Sequence, residues 1–188
     1  MDRIADTHVL AAVIAGLVAA GCAAAPRPVY PPGIRVFEGA PAITEGETIL
    51  AVDPDTAYAA ATDYPRWTAM FPDIRQVQVT AQQGDDARVT LVHAAGNRDN
   101  VHFHNRPATR VVWFEDTNGS AEVWAEIAFI PGDRPGTTRV HSRLFADVRG
   151  LVSLFVTDNR LRHLREQRIH DDLVQLRTYF AGRVATAP

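Results

Sequence analysis

The sequence predicts an α+β fold in which an antiparallel β-sheet buries one long C-terminal α-helix. Between about residue 44 and residue 149, short segments of alternating apolar and polar residues are separated by turn residues, a pattern typical of antiparallel strands. From Leu151 to Phe180 the apolar residues instead recur mostly at steps of three and four, which lines one face of a helix. The 188 residues, 46% of them hydrophobic, are enough for the core of one globular domain. The formal net charge of −3 gives no support to a nucleic-acid partner.

Residues 1–22 are predicted to be a bacterial lipoprotein signal peptide. Val9 to Ala20 forms an apolar run of 12 residues. Such a run is too short to cross a hydrocarbon core of about 30 Å but suits a signal sequence. Small residues then precede Cys22, and this junction resembles the lipobox, whose Cys is lipidated and becomes the new N-terminus. Cys22 is the only Cys of the chain, so no intramolecular disulfide can form. An ordinary secretory signal with an incidental Cys is the alternative, because two acidic residues accompany the one Arg before the run.

The lipobox predicts a protein anchored through Cys22 to a membrane of the bacterial cell envelope, on the periplasmic face. Ala23, and not Asp, follows this Cys, which favours the outer membrane over the inner one. Residues 23–43 are rich in Ala and Pro and predict an extended tether, in which Ile34 to Phe37 could add a short edge strand. The folded domain is predicted at residues 44–182, followed by a tail at residues 183–188.

The folded domain is predicted to begin with a strand and two short helices. Thr48 to Val52 is apolar and β-branched, which favours a buried strand. Asp53 can cap a helix that begins at Pro54 and continues through Ala61. Arg66 to Met70 predicts a second helix of one or two turns.

About six antiparallel strands are predicted to follow these helices. The turns between them are short, which requires antiparallel neighbours, and Asn118-Gly119 is a strong hairpin signal. The predicted strands are Gln76 to Ala81, Arg88 to Ala94, Val101 to Asn105, Arg110 to Glu115, Ala121 to Phe129 and Thr138 to Asp147.

The long C-terminal helix is predicted to be amphipathic. Its apolar stripe includes Leu173 and Leu176, which we expect to be buried against the sheet. Arg165 is assigned to the opposite, charged face and is expected to be solvated. The first turns, Leu151 to Val156, are apolar nearly all round and are expected to be buried on several sides.

Three runs of residues around the short helices point to a known superfamily. Val52-Asp53-Pro54-Asp55-Thr56-Ala57-Tyr58 is followed by Thr62-Asp63-Tyr64-Pro65-Arg66-Trp67 and by Met70-Phe71-Pro72. Together with the order of elements, these runs resemble the START-like superfamily, also called SRPBCC or helix-grip. It includes polyketide cyclase/dehydrase-like and coenzyme-Q-binding-like proteins. The resemblance covers roughly Thr44 to Phe180. It implies a curved sheet wrapped around the long helix, with an apolar cavity between them.

Members of this superfamily mostly bind lipids, sterols, quinones or aromatic polyketides, and a minority catalyse reactions in the cavity. The residues predicted to bind a ligand are therefore those expected to face such a cavity. They come from the second short helix and its flanks, from the inward positions of the strands and from the start of the long helix. These residues are Tyr64, Trp67, Phe71, Leu91, His93, Phe103, Phe114, Ala125, Ile127, Ser142, Leu144, Leu154 and Phe155.

His93 is the one candidate for a catalytic residue. It shares its strand phase with Val89 and Leu91, so it is expected to point into the cavity. There an imidazole could act as a general base or hydrogen-bond a ligand carbonyl. A core or rim histidine with satisfied hydrogen bonds is the plainer interpretation.

His102 and His104 lie two residues apart on a predicted strand, a spacing at which two imidazoles could hold a metal. Their strand phase is opposite to that of Val101 and Phe103, so both are expected on the outer face. No carboxylate or thiol stands at a familiar spacing from them, and we therefore predict no metal site.

Two functional classes follow from the sequence. The favoured class is a binding or carrier module for a hydrophobic small molecule (a lipid, sterol-like compound, quinone or aromatic polyketide), because apolar wall residues are abundant and no acid–base pair is obvious. The alternative is a polyketide cyclase/dehydrase-like or hydrolase-like enzyme that uses His93 in the same cavity. An envelope structural protein with a filled core is a third interpretation. The domain carries no nucleophile elbow, P-loop or His-Glu-x-x-His motif, and no cofactor is predicted.

Overall fold

The computed structural model describes residues 31–40, 42–116, 121–148 and 157–184. The strands are β1 (Ile34–Glu38), β2 (Ile43–Leu50), β3 (Ile74–Gln83), β4 (Asp86–His93), β5 (Arg98–Arg106), β6 (Val111–Asp116), β7 (Ala121–Pro131) and β8 (Thr138–Val148). The helices are α1 (Pro54–Thr62), α2 (Trp67–Met70) and α3 (Asp158–Val184), and a 3₁₀ turn at Tyr64–Arg66 joins the first two. None of the described helices has both the length and the apolar character needed to cross a membrane.

The strands form a single antiparallel sheet in the order β1-β2-β8-β7-β6-β5-β4-β3. The first long strand, β2, pairs with the last strand, β8, so the chain leaves β2 through the short helices and returns along a continuous meander. The predicted α+β class is confirmed. The short edge strand predicted at Ile34 to Phe37 is present as β1, which pairs with β2 along its whole length.

One face of the sheet, here called the inner face, is covered by the helices, and the opposite face is called the outer face. The α1 helix lies over β6 and β7, α2 over β3, and α3 over β1, β2 and β8. Paired positions on adjacent strands bring one row of inner-face residues together across the sheet. The row runs Phe103, Phe114, Ala125, Leu144 and Thr44. The candidate site lies along this row of residues.

The long helix α3 comes closest to the sheet over β2, at Gly46. A Cβ atom on Gly46 would lie 2.3 Å from Ile169 Cγ2 and 2.9 Å from Leu173 Cδ1. Only a residue without a side chain lets the helix approach the strand this closely. Leu173 and Leu176 are 0% and 2% exposed, so the burial predicted for them is observed.

Arg165 is not solvated, and the sequence-based assignment of this residue to the charged face is wrong. The residue is only 6% exposed. Its Nε donates to Thr44 Oγ1 at 3.2 Å and its Nη1 donates to the Ala146 carbonyl oxygen at 3.1 Å. The physical reason is helical spacing: Arg165 precedes Ile169 by one step of four and Leu173 by two such steps, so it belongs to the stripe that meets the sheet.

The α1 helix begins as its sequence predicts. Asp53 is the N-cap, and its Oδ1 accepts a hydrogen bond from the Thr56 N–H at 2.9 Å. Pro54 occupies the first helical position, where a missing N–H costs nothing. The sharp change of direction after β2 therefore has a local cause.

Several sequence-based predictions fall on residues outside the described ranges. They include the signal peptide with Cys22, residues 23–30 of the tether, the Asn118-Gly119 turn, and the apolar first turns of the long helix with Leu154 and Phe155. The α3 helix is accordingly described from Asp158 onward.

Candidate ligand-binding site

The candidate site lies where the inner face is not fully covered by the helices. Phe114, Ile127 and Leu144 all point to the inner face, yet each is only half-buried while packing against the core. Ala125 stands between Phe114 and Leu144 in the cross-strand row and is 5% exposed. Because these large apolar side chains keep part of their surface free, the helices leave this part of the inner face accessible, as a site for an apolar ligand requires.

A packed aromatic cluster borders this accessible part of the inner face. The centroids of the Tyr64 and Trp67 rings lie 4.6 Å and 5.2 Å from that of Phe103, and the centroid of Phe71 lies 5.1 Å from that of Trp67. All four side chains belong to residues that are at most 7% exposed. The Phe114 ring continues the cluster, 5.2 Å from Phe103, and is the member with free surface. Ligand contact by Tyr64, Trp67 and Phe71 stays a prediction.

The polar atoms of the aromatic cluster are engaged within the protein. Trp67 Nε1 donates to the Ala61 carbonyl oxygen at 3.0 Å. Tyr64 and Asn105 exchange two hydrogen bonds, with the Tyr64 hydroxyl 3.0 Å from Asn105 Oδ1 and 2.8 Å from Asn105 Nδ2. Burial raises the pKa of Tyr64 to about 12, so the hydroxyl stays protonated at neutral pH. These bonds hold the cluster in place and leave the open part of the wall apolar.

His93 is on the inner face, as its strand phase predicts, but both of its ring nitrogens face carboxylates. Nε2 lies 2.8 Å from Asp99 Oδ2, and Nδ1 lies 3.3 Å from Asp73 Oδ2. The hydrogen bond to Asp99 raises the pKa of His93 and outweighs the opposing effect of burial. Arg168 on α3 approaches the same Asp73 Oδ2 at 3.8 Å. The imidazole is therefore favoured in its charged form between two anions, which is a poor state for a general base.

Two further predicted residues are buried parts of the same wall. Leu91 precedes His93 by one inward position on β4 and is 7% exposed. Ser142 is also 7% exposed and stands between Ile127 on β7 and Gly46 on β2 in the pairing register. The Ser142 hydroxyl thus lies on the inner face, close to where α3 meets the sheet.

The charged groups that border the site were not predicted from the sequence. Asp73 lies in the turn before β3 and Asp99 is the second residue of β5; acidic residues are common near turns, so nothing in the sequence singles them out. One oxygen of Asp99, Oδ1, is buried without a hydrogen-bond partner among the described residues. Arg165 stands on the other side, bonded to Thr44, which is paired with Leu144. Burial lowers the pKa of Arg165, yet a guanidinium remains charged at neutral pH.

His102 and His104 lie on the outer face, on the opposite side of the sheet from the candidate site, as their phase predicts. Their neighbours are carboxylates on β4 and β6 and not cavity residues. They have no part in the ligand wall described above.

Comparison with known proteins identifies this architecture. Residues 42–181 match a protein-family profile described as "Polyketide cyclase / dehydrase and lipid transport". No curated protein matches the chain in sequence.

Solved structures show the same fold. A protein from Thermus thermophilus is similar with a TM-score of 0.63 and 16% identity, over 77% of this chain and 99% of that one. A START superfamily protein from Mycobacterium smegmatis has a TM-score of 0.61 and 13% identity, over 74% and 97%. The Zhui aromatase/cyclase from Streptomyces sp. R1128 has a TM-score of 0.60 and 16% identity, over 80% and 93%. At these identities the similarity shows the fold alone, and the START-like fold expected from the sequence is confirmed.

Proposed function

The chain belongs to the polyketide cyclase / dehydrase and lipid transport family, and from that premise we propose that it binds a hydrophobic small molecule between the inner face of its sheet and α3. The ligand class is a lipid, sterol-like compound, quinone or aromatic polyketide. A cyclase or dehydrase reaction on such a molecule is the alternative that the same family allows.

A single observation supports the binding proposal most strongly. Phe114, Ile127 and Leu144 form a patch of large apolar side chains on the face that the helices cover, and they keep free surface there. Burying such surface against an apolar ligand contributes about 25 cal/mol for each Å² removed from water. This free energy becomes available only when a ligand covers the exposed surface, so the patch favours binding of an apolar molecule.

The arrangement of His93 favours binding over acid–base catalysis. A general base needs a free nitrogen aimed at the substrate, and a pKa near or below the working pH. Both nitrogens of His93 face carboxylates, at 2.8 Å and 3.3 Å, and the pKa of the imidazole is raised. His93 therefore supports the wall as a charged group, held by Asp73 and Asp99.

The binding proposal is tested with an apolar fluorescent probe, N-phenyl-1-naphthylamine, titrated into the purified chain. Ala125→Trp places a large side chain in the middle of the cross-strand row and should weaken probe binding by about tenfold or more. Ala128→Trp is the matched control, because it puts the same side chain on the same strand but on the outer face. Thermal melts of both variants check that they fold.

The outcomes of this titration are distinct. Saturable binding by the wild type and by Ala128→Trp, with loss in a folded Ala125→Trp, supports the proposal. No saturable binding by the wild type, or equal binding by both Trp variants, overturns it. His93→Gln should bind the probe within about tenfold of the wild type, because its ring is engaged by carboxylates and not by the ligand.

We further propose that the domain works as a lipoprotein of the bacterial envelope, joined to the membrane by a lipid on Cys22. The support is the sequence at this junction, an apolar run ending in small residues before the only Cys. Cys22→Ser should shift the protein from the membrane fraction to the soluble fraction. A wild type that is soluble and has the mass of an unmodified chain contradicts the anchor.

A further inference from the structure

On the outer face, three neighbouring strands bring two imidazoles and two carboxylates together. His102 and His104 are two residues apart on β5, so both project from the same face, and their ring centroids are 4.0 Å apart. The pairing register places Asp86 on β4 directly across from His104. It places Glu115 on β6 directly across from His102. Each imidazole therefore has a carboxylate on an adjoining strand.

Three of the possible ligand atoms are close enough to converge on one ion. Asp86, His102 and His104 can each offer one atom such that all three atoms lie within 4.8 Å of one another. Asp86 Oδ1 is 2.8 Å from His104 Nδ1. Glu115 Oε1 is 3.7 Å from His102 Nδ1 and 4.0 Å from His104 Nε2. Ligand atoms around a tetrahedral Zn²⁺ are about 3.3 Å apart, given a Zn–N distance of about 2.0–2.1 Å. Binding of an ion therefore requires the three atoms, which lie within 4.8 Å of one another, to move closer by rotation of their side chains.

The group is both supported and accessible. The His104 ring packs on Trp113, with centroids 4.8 Å apart, which restricts its orientation. The side chains of His102 and His104 are 23% and 30% exposed. His102 also lines a surface groove of about 480 Å³, together with Arg88, Thr90 and Asn100. An ion can reach the group from solvent without any opening of the fold.

We propose that Asp86, His102 and His104 bind one Zn²⁺ ion and thereby link β4 and β5, while Glu115 on β6 stands beside His102 as an outer carboxylate. Imidazole and carboxylate groups are ligands that zinc accepts in a four-coordinate site. Asp86 supplies one negative charge to a divalent cation, and the nearby carboxylate of Glu115 adds a second one beside His102. The exposed guanidinium of Arg88, across from His102, is outnumbered by these carboxylates. A simple ion pair needs only one imidazole and one carboxylate. Here two imidazole rings lie side by side between two carboxylates, an arrangement that ion pairing alone does not require.

This site is separate from the candidate ligand wall, since the sheet lies between them. Zinc binding here neither requires nor excludes a hydrophobic ligand on the inner face. The site instead fixes the pairing of β4 and β5, whose other faces carry Val89 and Phe103. A bound ion should therefore stabilise the part of the sheet that forms the apolar wall.

The test is isothermal titration of Zn²⁺ into the full chain, purified without a polyhistidine tag and stripped of metal by a chelator. The wild type should bind one ion per chain. His102→Ala and His104→Ala should each weaken binding by about tenfold or more, and Asp86→Asn and Glu115→Gln should weaken it as well. His141→Ala is the matched control: His141 is also on the outer face and bonded to a carboxylate, Glu45, at 2.8 Å, but lacks a second imidazole beside it. It should bind Zn²⁺ as the wild type does.

A second readout separates metal binding from damage to the fold. Zn²⁺ in excess should raise the melting temperature of the wild type and of His141→Ala, because a ligand that binds only the folded state stabilises it. It should leave the melting temperature of His104→Ala unchanged, while the metal-free melts show that each variant is folded. Absence of binding at one ion per chain, or wild-type affinity in folded His102→Ala and His104→Ala, overturns the proposal.

Discussion

The inner face of the sheet has two halves that are covered very differently. Over β2, the long helix comes so close that a single Cβ atom on Gly46 would collide with Ile169 and Leu173. Over β6 and β7, Phe114 and Ile127 keep part of their surface free. The first region is here called the packed half and the second the open half. The same sheet therefore provides both the main helix contact and the candidate ligand wall.

The difference follows from the size of the residues that each strand presents. The inner positions of β2 under the helix are short, namely Thr44, Gly46 and Thr48. The corresponding positions in the open half and at its border are mostly large and apolar, with Ala125 as the small exception. A helix can approach closely over small side chains and is held away from large ones. The small residues lie under α3 on β2, whereas the large residues on β6 and β7 keep exposed apolar surface. A binding site for an apolar molecule needs such surface.

The largest effect is expected from Leu173→Ala in the packed half. The Leu173 side chain on α3 is fully buried against β2, so its truncation leaves a cavity. The change should lower the free energy of unfolding by about 2–5 kcal/mol. Urea unfolding of both proteins measures the loss. A loss below about 0.5 kcal/mol, the size of a typical surface change, would contradict the close contact of helix and sheet.

Arg165→Ala should have the next largest effect on stability. The change removes a buried guanidinium together with its two hydrogen bonds, so Thr44 Oγ1 and the Ala146 carbonyl oxygen lose this donor. The free energy of unfolding should fall by about 1–3 kcal/mol. Arg162→Ala is the control, because its side chain is 36% exposed on the same helix. That control should fall within about 0.5 kcal/mol of the wild type. Equal effects of the two changes would show that Arg165 is not part of the packed half.

Ile127→Ala tests the open half directly. The residue is half-buried, so truncation removes less buried surface than Leu173→Ala does and should cost about 1 kcal/mol in urea unfolding. Its effect on binding of the apolar probe should be larger than that of Leu173→Ala. If Ile127→Ala costs as much stability as Leu173→Ala, the two halves are packed alike and the comparison fails.

The smallest expected effect is a pH dependence at His93, on the border of the open half. The pKa of the imidazole is raised above its ordinary value of 6.5 in the folded protein. Its contribution to stability is therefore fully present below about pH 6.5 and is lost as the pH rises through the raised pKa. The difference in melting temperature between the wild type and His93→Gln should thus be larger at about pH 5.5 than at about pH 9. A difference that grows with pH would mean that Asp73 and Asp99 do not favour the charged ring.

The fold could be predicted from the sequence because its signals are local. Alternation along each strand, the turn residues between strands and the Asp53-Pro54 helix start all act within a few residues. Arg165 shows where such reasoning fails. Its charge suggested a solvated position, but its spacing from Ile169 and Leu173 placed it on the buried stripe, where Thr44 and the Ala146 carbonyl accept its hydrogen bonds.

The charged groups around both histidine sites could not be predicted, because they depend on strand register. Asp99 reaches His93 from the neighbouring strand, and Glu115 reaches His102 in the same way. In the sequence, no carboxylate stands at a familiar ligand spacing from His102 or His104. Pairing of β5 with β4 and β6 supplies the carboxylates from far along the chain. Such contacts become visible only when the partners of each strand are known.

Native mass spectrometry of the wild-type chain tests the central claim, that the open half is a wall for a hydrophobic ligand, most directly. The account predicts that the folded protein carries, or takes up from added lipid or quinone, one apolar molecule per chain. It also predicts that Ala128→Trp retains this extra mass and that Ala125→Trp loses it. A wild type that shows only the mass of the bare chain, even after exposure to these compounds, would contradict the claim.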